Sequence, residues 1–297
     1  MHAIKELRKR TGAPIGAVKK ALDEEKGDME AAIVYLRKIG ASIAAKKAHR
    51  DASEGLIGIA ISPDKSRASI IEVNSETDFV ARTPQFVQLV NRLTESALNK
   101  GRVADCNTMI SLDTQQLLEQ DENKEMVLGA VSSLGENIVL KRANVMTLDS
   151  ASGALFGYTH GSAGIGSGRI GALVALKGGT LNEAGPRMAM HIAAAAPSYI
   201  SIGSIPPQDL ERERSILLEA ALAEQKAGDK PKPPAILERM AHGRLRKWYA
   251  SSVLEEQEML VDNPSYSGEP RAVKEFLKKE TADSEIVAMC RMVVGEK

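Results

Sequence analysis

The chain has 297 residues, 43% apolar and 26% charged, with 39 basic side chains against 39 acidic ones. That is an ordinary globular balance, long enough to bury a core, and its zero net charge advertises no basic face of the kind nucleic-acid binding needs. No apolar run reaches the roughly 18 residues of a membrane span, and the two cysteines, Cys106 and Cys290, stand outside any CxxC or Cys/His spacing.

Helical patterning starts directly after Met1, so no signal or transit segment is expected ahead of it. The spacing predicts three short helices over residues 3–39: Ile4 and Leu7 on the first, Val18 and Leu22 on the second, and Met29, Ile33 and Leu36 on the third. Thr11-Gly12 breaks the first pair, Pro14 suits a helix start, and Asp28 is placed to cap the third helix. The Ala- and Lys-rich stretch at 41–54 reads as a polar, partly helical linker.

A hairpin follows, Leu56 to Ser62 and Ala68 to Asn74, around the turn formers Pro63-Asp64-Lys65-Ser66. Thr83-Pro84 opens a helix with Phe86, Leu89, Val90, Leu93 and Ala97 on one face. Residues 113–134 read as helix and Asn137 to Met146 as strand. A similar order repeats: strands near 154–160 and 169–177, a helix from about Asn182 to Ala195, and a last strand near 285–294. Two charged amphipathic helices within 207–260, flanking Gly228-Asp229-Lys230-Pro231-Lys232-Pro233-Pro234, read as a projecting helical hairpin, an arm able to pair with another surface. The fold class is α+β. The expected division is a three-helix module at 1–40, a linker at 41–54, core parts at 55–148 and 149–206, the hairpin at 207–262 and a closing part at 263–297.

Reactive chemistry has no support in this pattern. The five histidines form neither a metal spacing nor a nucleophile pattern, and no phosphate-binding GxxxxGK[ST] occurs. No metal, cofactor or direct nucleotide binding is expected. Gly166-Ser167-Gly168-Arg169-Ile170-Gly171 matches GxGxxG, but a strand follows it where a dinucleotide loop needs a helix. It reads as a turn. The informative stretch is Val73-Asn74-Ser75-Glu76-Thr77-Asp78-Phe79-Val80-Ala81, between a strand and a capped helix, where binding loops commonly lie. Phe79 beside Asp78 suits an anchor that enters a partner's pocket. Equally, Phe79 could pack into its own core while Asp78 caps a turn, and pattern alone favours that second reading.

Several motifs in order resemble elongation factor Ts: Leu7-Arg8-x-Arg10-Thr11-Gly12-Ala13, Lys19-Lys20-Ala21-Leu22, Ala44-Ala45-Lys46-Lys47, Val73-Asn74-x-x-Thr77-Asp78-Phe79-Val80-Ala81, Gly135-Glu136-Asn137-Ile138, Tyr158-x-His160, Met190-His191-Ile192-Ala193-Ala194 and Gly243-Arg244-Leu245-Arg246-Lys247. The set spans nearly the whole chain. The resemblance implies a ubiquitin-associated-like N-terminal module, a two-part core, a helical hairpin, and one partner, the GTPase elongation factor Tu. It implies guanine-nucleotide exchange without covalent chemistry. The matching contact residues are Thr77, Asp78, Phe79, Val80 and His160, with Arg8, Thr11, Gly12, Ala13, Ile15 and Lys19 in the module and Lys47 beyond it. Val261 is a further contact candidate, and Met190-His191 reads as core packing. Neither membrane nor DNA is an expected partner, and a homodimer through the hairpin is open.

Pro14, where bacterial relatives often carry Gly, the Thr-Gly-Ala-Pro-Ile form, and the Gly164–Ile170 segment are similar to organellar members. So is Gly243-Arg244-Leu245-Arg246-Lys247, while the Gly295-Glu296-Lys297 ending departs from the family's usual Gly-Glu-Gly. They lead to an expected mitochondrial matrix setting, with a bacterial-type cytoplasm as the alternative. A ubiquitin-binding or RNA-binding adaptor is the rival reading; it leaves Thr77-Asp78-Phe79 without a purpose.

Overall fold

The computed structural model describes residues 2–100, 108–149, 151, 153–161, 163–179, 181, 183–223, 233–260, 271–281 and 284–296. Cys106, Val261, Asn182 and positions 228–232 of the hairpin tip lie outside the described residues.

Three helices come first: α1 (His2–Thr11), α2 (Ile15–Glu24) and α3 (Met29–Lys47). Leu7, Ala13, Val18, Ala21, Leu22 and Ala32 form their shared core. Asp28 caps α3 by accepting from the Glu30 and Ala31 amides, so an orphan N-terminus is satisfied locally. Helix α3 does not stop near residue 40. It runs on through the expected linker to Lys47, because Gly40 lies against Leu128 and Ile43 and Ala44 gain burial against the main core. Tertiary contact there extends the helix past its apolar stripe.

Strands β1 (Glu54–Ile61) and β2 (Arg67–Ser75) form the expected hairpin. Asp64 fastens its turn, accepting from Ser62 Oγ, Ser66 Oγ and the Ser66 amide, and these bonds hold its carboxyl down at about 2. After them come α4 (Asp78–Ala81), α5 (Pro84–Lys100), β3 (Thr108–Ser111), α6 (Thr114–Leu118), α7 (Asp121–Leu134) and β4 (Ile138–Thr147). The single helix expected over 113–134 is two, α6 and α7. Asn123 donates to the Leu117 carbonyl at 2.7 Å and so caps the break.

The remainder comprises β5 (Gly153–His160), β6 (Ser167–Gly168), β7 (Ile170–Lys177), α8 (Ala184–Ala195), α9 (Pro207–Ala223), α10 (Pro234–Ser252), α11 (Val273–Glu280) and β8 (Glu285–Val293). The glycine-rich GxGxxG segment is β6 and the start of β7, a strand-side turn rather than a nucleotide loop.

Two antiparallel sheets result, one in the order β3-β4-β2-β1-β6 and one β5-β7-β8. The fold is α+β. Alternation along β2 explains the layering. Ile71 and Val73 face the core under α5, while Ala68 and Ile70 face a second core shared with Leu155, Leu173, Cys290 and Met292 of the smaller sheet. Strand β7 does the same, sending Leu173 and Ala175 inward and Val174 and Leu176 onto α8 and α11. The sheets therefore pack face to face between helical layers. His191 on α8 is buried: its Nε2 bonds Gln257 and its Nδ1 accepts the Leu260 amide, so desolvation depresses its pKa.

A buried ion pair ties the chain's last strand to the first sheet. Glu72 on β2, 1% exposed, faces Arg142 of β4 at 2.6 Å and accepts from Asn74 and the Gly295 amide. Arg142 also donates to the Val293 carbonyl. Removing one partner strands the other charge. Glu72→Ala is expected to lower the unfolding free energy by about 3 kcal/mol, read as a lower urea midpoint at unchanged slope; an unmoved midpoint would show the pair to be dispensable.

Candidate functional site

The stretch that the sequence singles out forms a single helical turn, α4, on the surface. Thr77 is its N-cap, its hydroxyl accepting the Val80 amide at 3.4 Å. Val80 and Ala81 turn inward onto the core, Val80 half-buried and Ala81 fully so. Phe79 points outward and is 81% exposed, so it does not pack into its own core. Asp78 beside it pairs with Arg82 at 2.9 Å. Four residues alone make a marginal helix, so something else must hold this turn.

Two crossed carboxylates do so. Glu136, just ahead of β4, accepts from the Thr77 amide at 3.0 Å and from its hydroxyl at 2.5 Å. Glu76 accepts from the Asn137 amide at 2.6 Å. Each acid thus binds the backbone of the residue that follows the other acid. Donation from the Asn137 amide, ahead of the Arg50 charge and opposed by desolvation, lowers the Glu76 carboxyl below its usual range. Its share of the clasp is present above about pH 4.3 and is lost as pH falls through the lower folded value. Asn137 donates to the Arg50 carbonyl at 2.8 Å, and Lys47 donates to the Gly135 carbonyl at the end of α7. Lys47 is therefore engaged inside the molecule, a cation at a helix C-terminus.

The remaining sequence-predicted residues fall into two places. Arg8, Gly12, Ile15 and Lys19 are exposed on the module, and Thr11 is half-buried. The Thr11 hydroxyl donates to the Leu7 carbonyl and accepts the Ala13 amide. The Ala13 methyl group is buried in the module core, so only its backbone can face a partner. His160 is exposed at the end of β5, with Nδ1 3.2 Å from the Tyr158 hydroxyl.

Helix α5 brings these parts together. Its first turn follows α4 directly. A Cβ on Gly12 would stand 3.9 Å from Gln85 Nε2, so the module turn adjoins the same helix end. Arg37 of α3 and Glu125 of α7 pair at 2.6 Å across the module's contact with the core. Glu76, Glu136, Asn137 and Gln85 are candidate-site residues without a local pattern of their own; the first three lie within the motifs quoted above.

A family model described as "Elongation factor TS" matches residues 76–296. This chain belongs to the elongation factor Ts family. The elongation factor Ts of Paramagnetospirillum magneticum is 40% identical, over 99% of this chain and 90% of its own length. That of Rhizobium meliloti is 39% identical, covering 99% and 92%, and that of Gluconobacter oxydans 37%, covering 99% and 91%. These relatives are bacterial. For this member of the elongation factor Ts family, Thr77→Ala is expected to cost about 1 kcal/mol of local stability. Amide hydrogen exchange at Val80 to Arg82 should speed up roughly fivefold while the global melting temperature barely moves. Unchanged exchange there would show that the cap does not hold the turn.

Proposed function

We propose that this chain accelerates GDP release from elongation factor Tu, acting through Phe79. The observation that carries this is one aromatic side chain, 81% exposed, on a turn clasped rigidly from below. Leaving such a ring in water forgoes about 1.5–3 kcal/mol of burial, which a partner's pocket recovers. Aromatic anchors held in advance also lose little conformational freedom on binding.

Exchange then follows from linkage. A protein that binds nucleotide-free elongation factor Tu more tightly than the GDP-bound form weakens GDP by the same factor. Phe79 supplies the wedge and Asp78 the polar contact beside it, exchanging Arg82 for a group on the GTPase near its magnesium and phosphate site. Thr77 and Val80 hold the wedge in place. Arg8, Thr11, Gly12, Ile15 and Lys19, on a ubiquitin-associated-like module, make the second contact, and His160 a third. No covalent bond is made or broken, and this chain binds neither GDP nor metal itself.

The division at 1–40, 55–148, 149–206, 207–262 and 263–297 is proposed with α3 bridging the first boundary. The α9–α10 hairpin extends contact with the partner or pairs with a second copy. The bacterial relatives support a bacterial-type cytoplasm. The Thr11-Gly12-Ala13-Pro14-Ile15 form and the Gly164–Ile170 segment support the mitochondrial matrix instead. With fluorescent GDP bound to elongation factor Tu, saturating chain is expected to speed release at least tenfold over the spontaneous rate; no acceleration would overturn the proposal.

A further inference from the structure

Ile165 is the most exposed large apolar side chain among the described residues, at 96%. A single surface isoleucine ordinarily needs no explanation. This one sits on a segment built to hold it. The Ile59 amide of β1 donates to the Gly166 carbonyl at 2.8 Å, and the Ala163 amide donates to the Ser167 carbonyl at 3.3 Å. Ser167 and Gly168 pair with Gly58 and Ile57 as a sheet edge.

The flanking glycines make the fit close. A Cβ on Gly164 would come within 2.8 Å of Val87 Cγ1, and Gly166 has φ +75°. Neither position accepts a side chain without strain. The turn thus presses its backbone onto α5 and β1 and leaves Ile165 nowhere to go but outward. A β-branched side chain on a fastened turn has little rotamer freedom to lose on binding.

Its position gives it a partner. Ala163 packs in the same cluster as Val80 and Val87. Val80 adjoins Phe79, and Val87 lies one turn into α5, past Gln85 and the module turn. Phe79 and Ile165 therefore stand on one support, with His160 on the strand that leads into the segment. We propose that Ile165 is a second apolar anchor for elongation factor Tu, entering a depression of the GTPase next to the one that takes Phe79. This rests on the exchange reading above and adds a distinct role. Phe79 acts by discriminating the nucleotide-free state. Ile165 grips both states alike, and so sets how much chain is needed rather than how fast bound GDP leaves.

The test is GDP release from elongation factor Tu titrated with wild type, Ile165→Ser and Ile165→Val, with thermal melts of each chain. Ile165→Ser should raise the half-saturating concentration about tenfold, leave the saturating rate within about twofold, and melt like wild type, because the side chain is 96% exposed in the free molecule. Ile165→Val should stay near wild type. If wild type accelerates release and Ile165→Ser has the wild-type half-saturating concentration, the second anchor is wrong while the exchange reading stands. If wild type does not accelerate release, both fall.

Discussion

The crossed pair of carboxylates, Glu76 on the Asn137 amide and Glu136 on the Thr77 amide, is the constraint that the proposed functional surface depends on. A four-residue helix has no stability of its own. Without the clasp, nothing would keep a phenylalanine in water rather than folded back onto the apolar core beneath it. The clasp joins the end of β2 to the start of β4, two strands already paired over nine positions. The backbone turn that carries Phe79 is thereby fastened to the sheet.

That rigidity has a thermodynamic use. An anchor that is ordered before binding loses little entropy on arrival, so more of its burial energy remains to favour the state it fits. In an exchange reaction, only the difference in affinity between two states of the GTPase does work. The arrangement around the first turns of α5 separates those tasks. In the proposed mechanism Phe79 and Asp78 discriminate, while the module turn beside Gln85 and the glycine-flanked turn against Val87 hold.

Much of the architecture was legible in the sequence. The heptad-like spacing of Phe86, Leu89, Leu93 and Ala97, the Pro63–Ser66 turn and the Asp28 cap each act locally, and each appears where the pattern places it. Where the structure departs from the pattern, tertiary contact is one cause and the shortness of an element another. Helix α3 runs past residue 40 because a neighbouring helix covers it. Strand β3 has only four residues, and β6 two, so neither carries a period. Helix α11 did carry one, in Val273, Phe276 and Leu277, and was passed over. The site divides in the same way. Phe79 and Asp78 stand out by type and position, but the turn that carries Phe79 is held by Glu136, which binds Thr77 from 59 positions away along the chain. Ala13 turns inward and Lys47 is engaged at the surface for reasons no local pattern carries: one fills a three-helix core, and the other meets the carbonyl end of a helix.

The central claim is that the exposed ring on this clasped turn drives nucleotide exchange. The most direct test is the rate of GDP release from elongation factor Tu at saturating Phe79→Ala, compared with saturating wild type. Because Phe79 touches little in the free chain, the variant should fold and bind, yet release GDP at least about tenfold more slowly, the equivalent of about 1.4 kcal/mol of lost discrimination. A saturating rate equal to wild type would contradict the account.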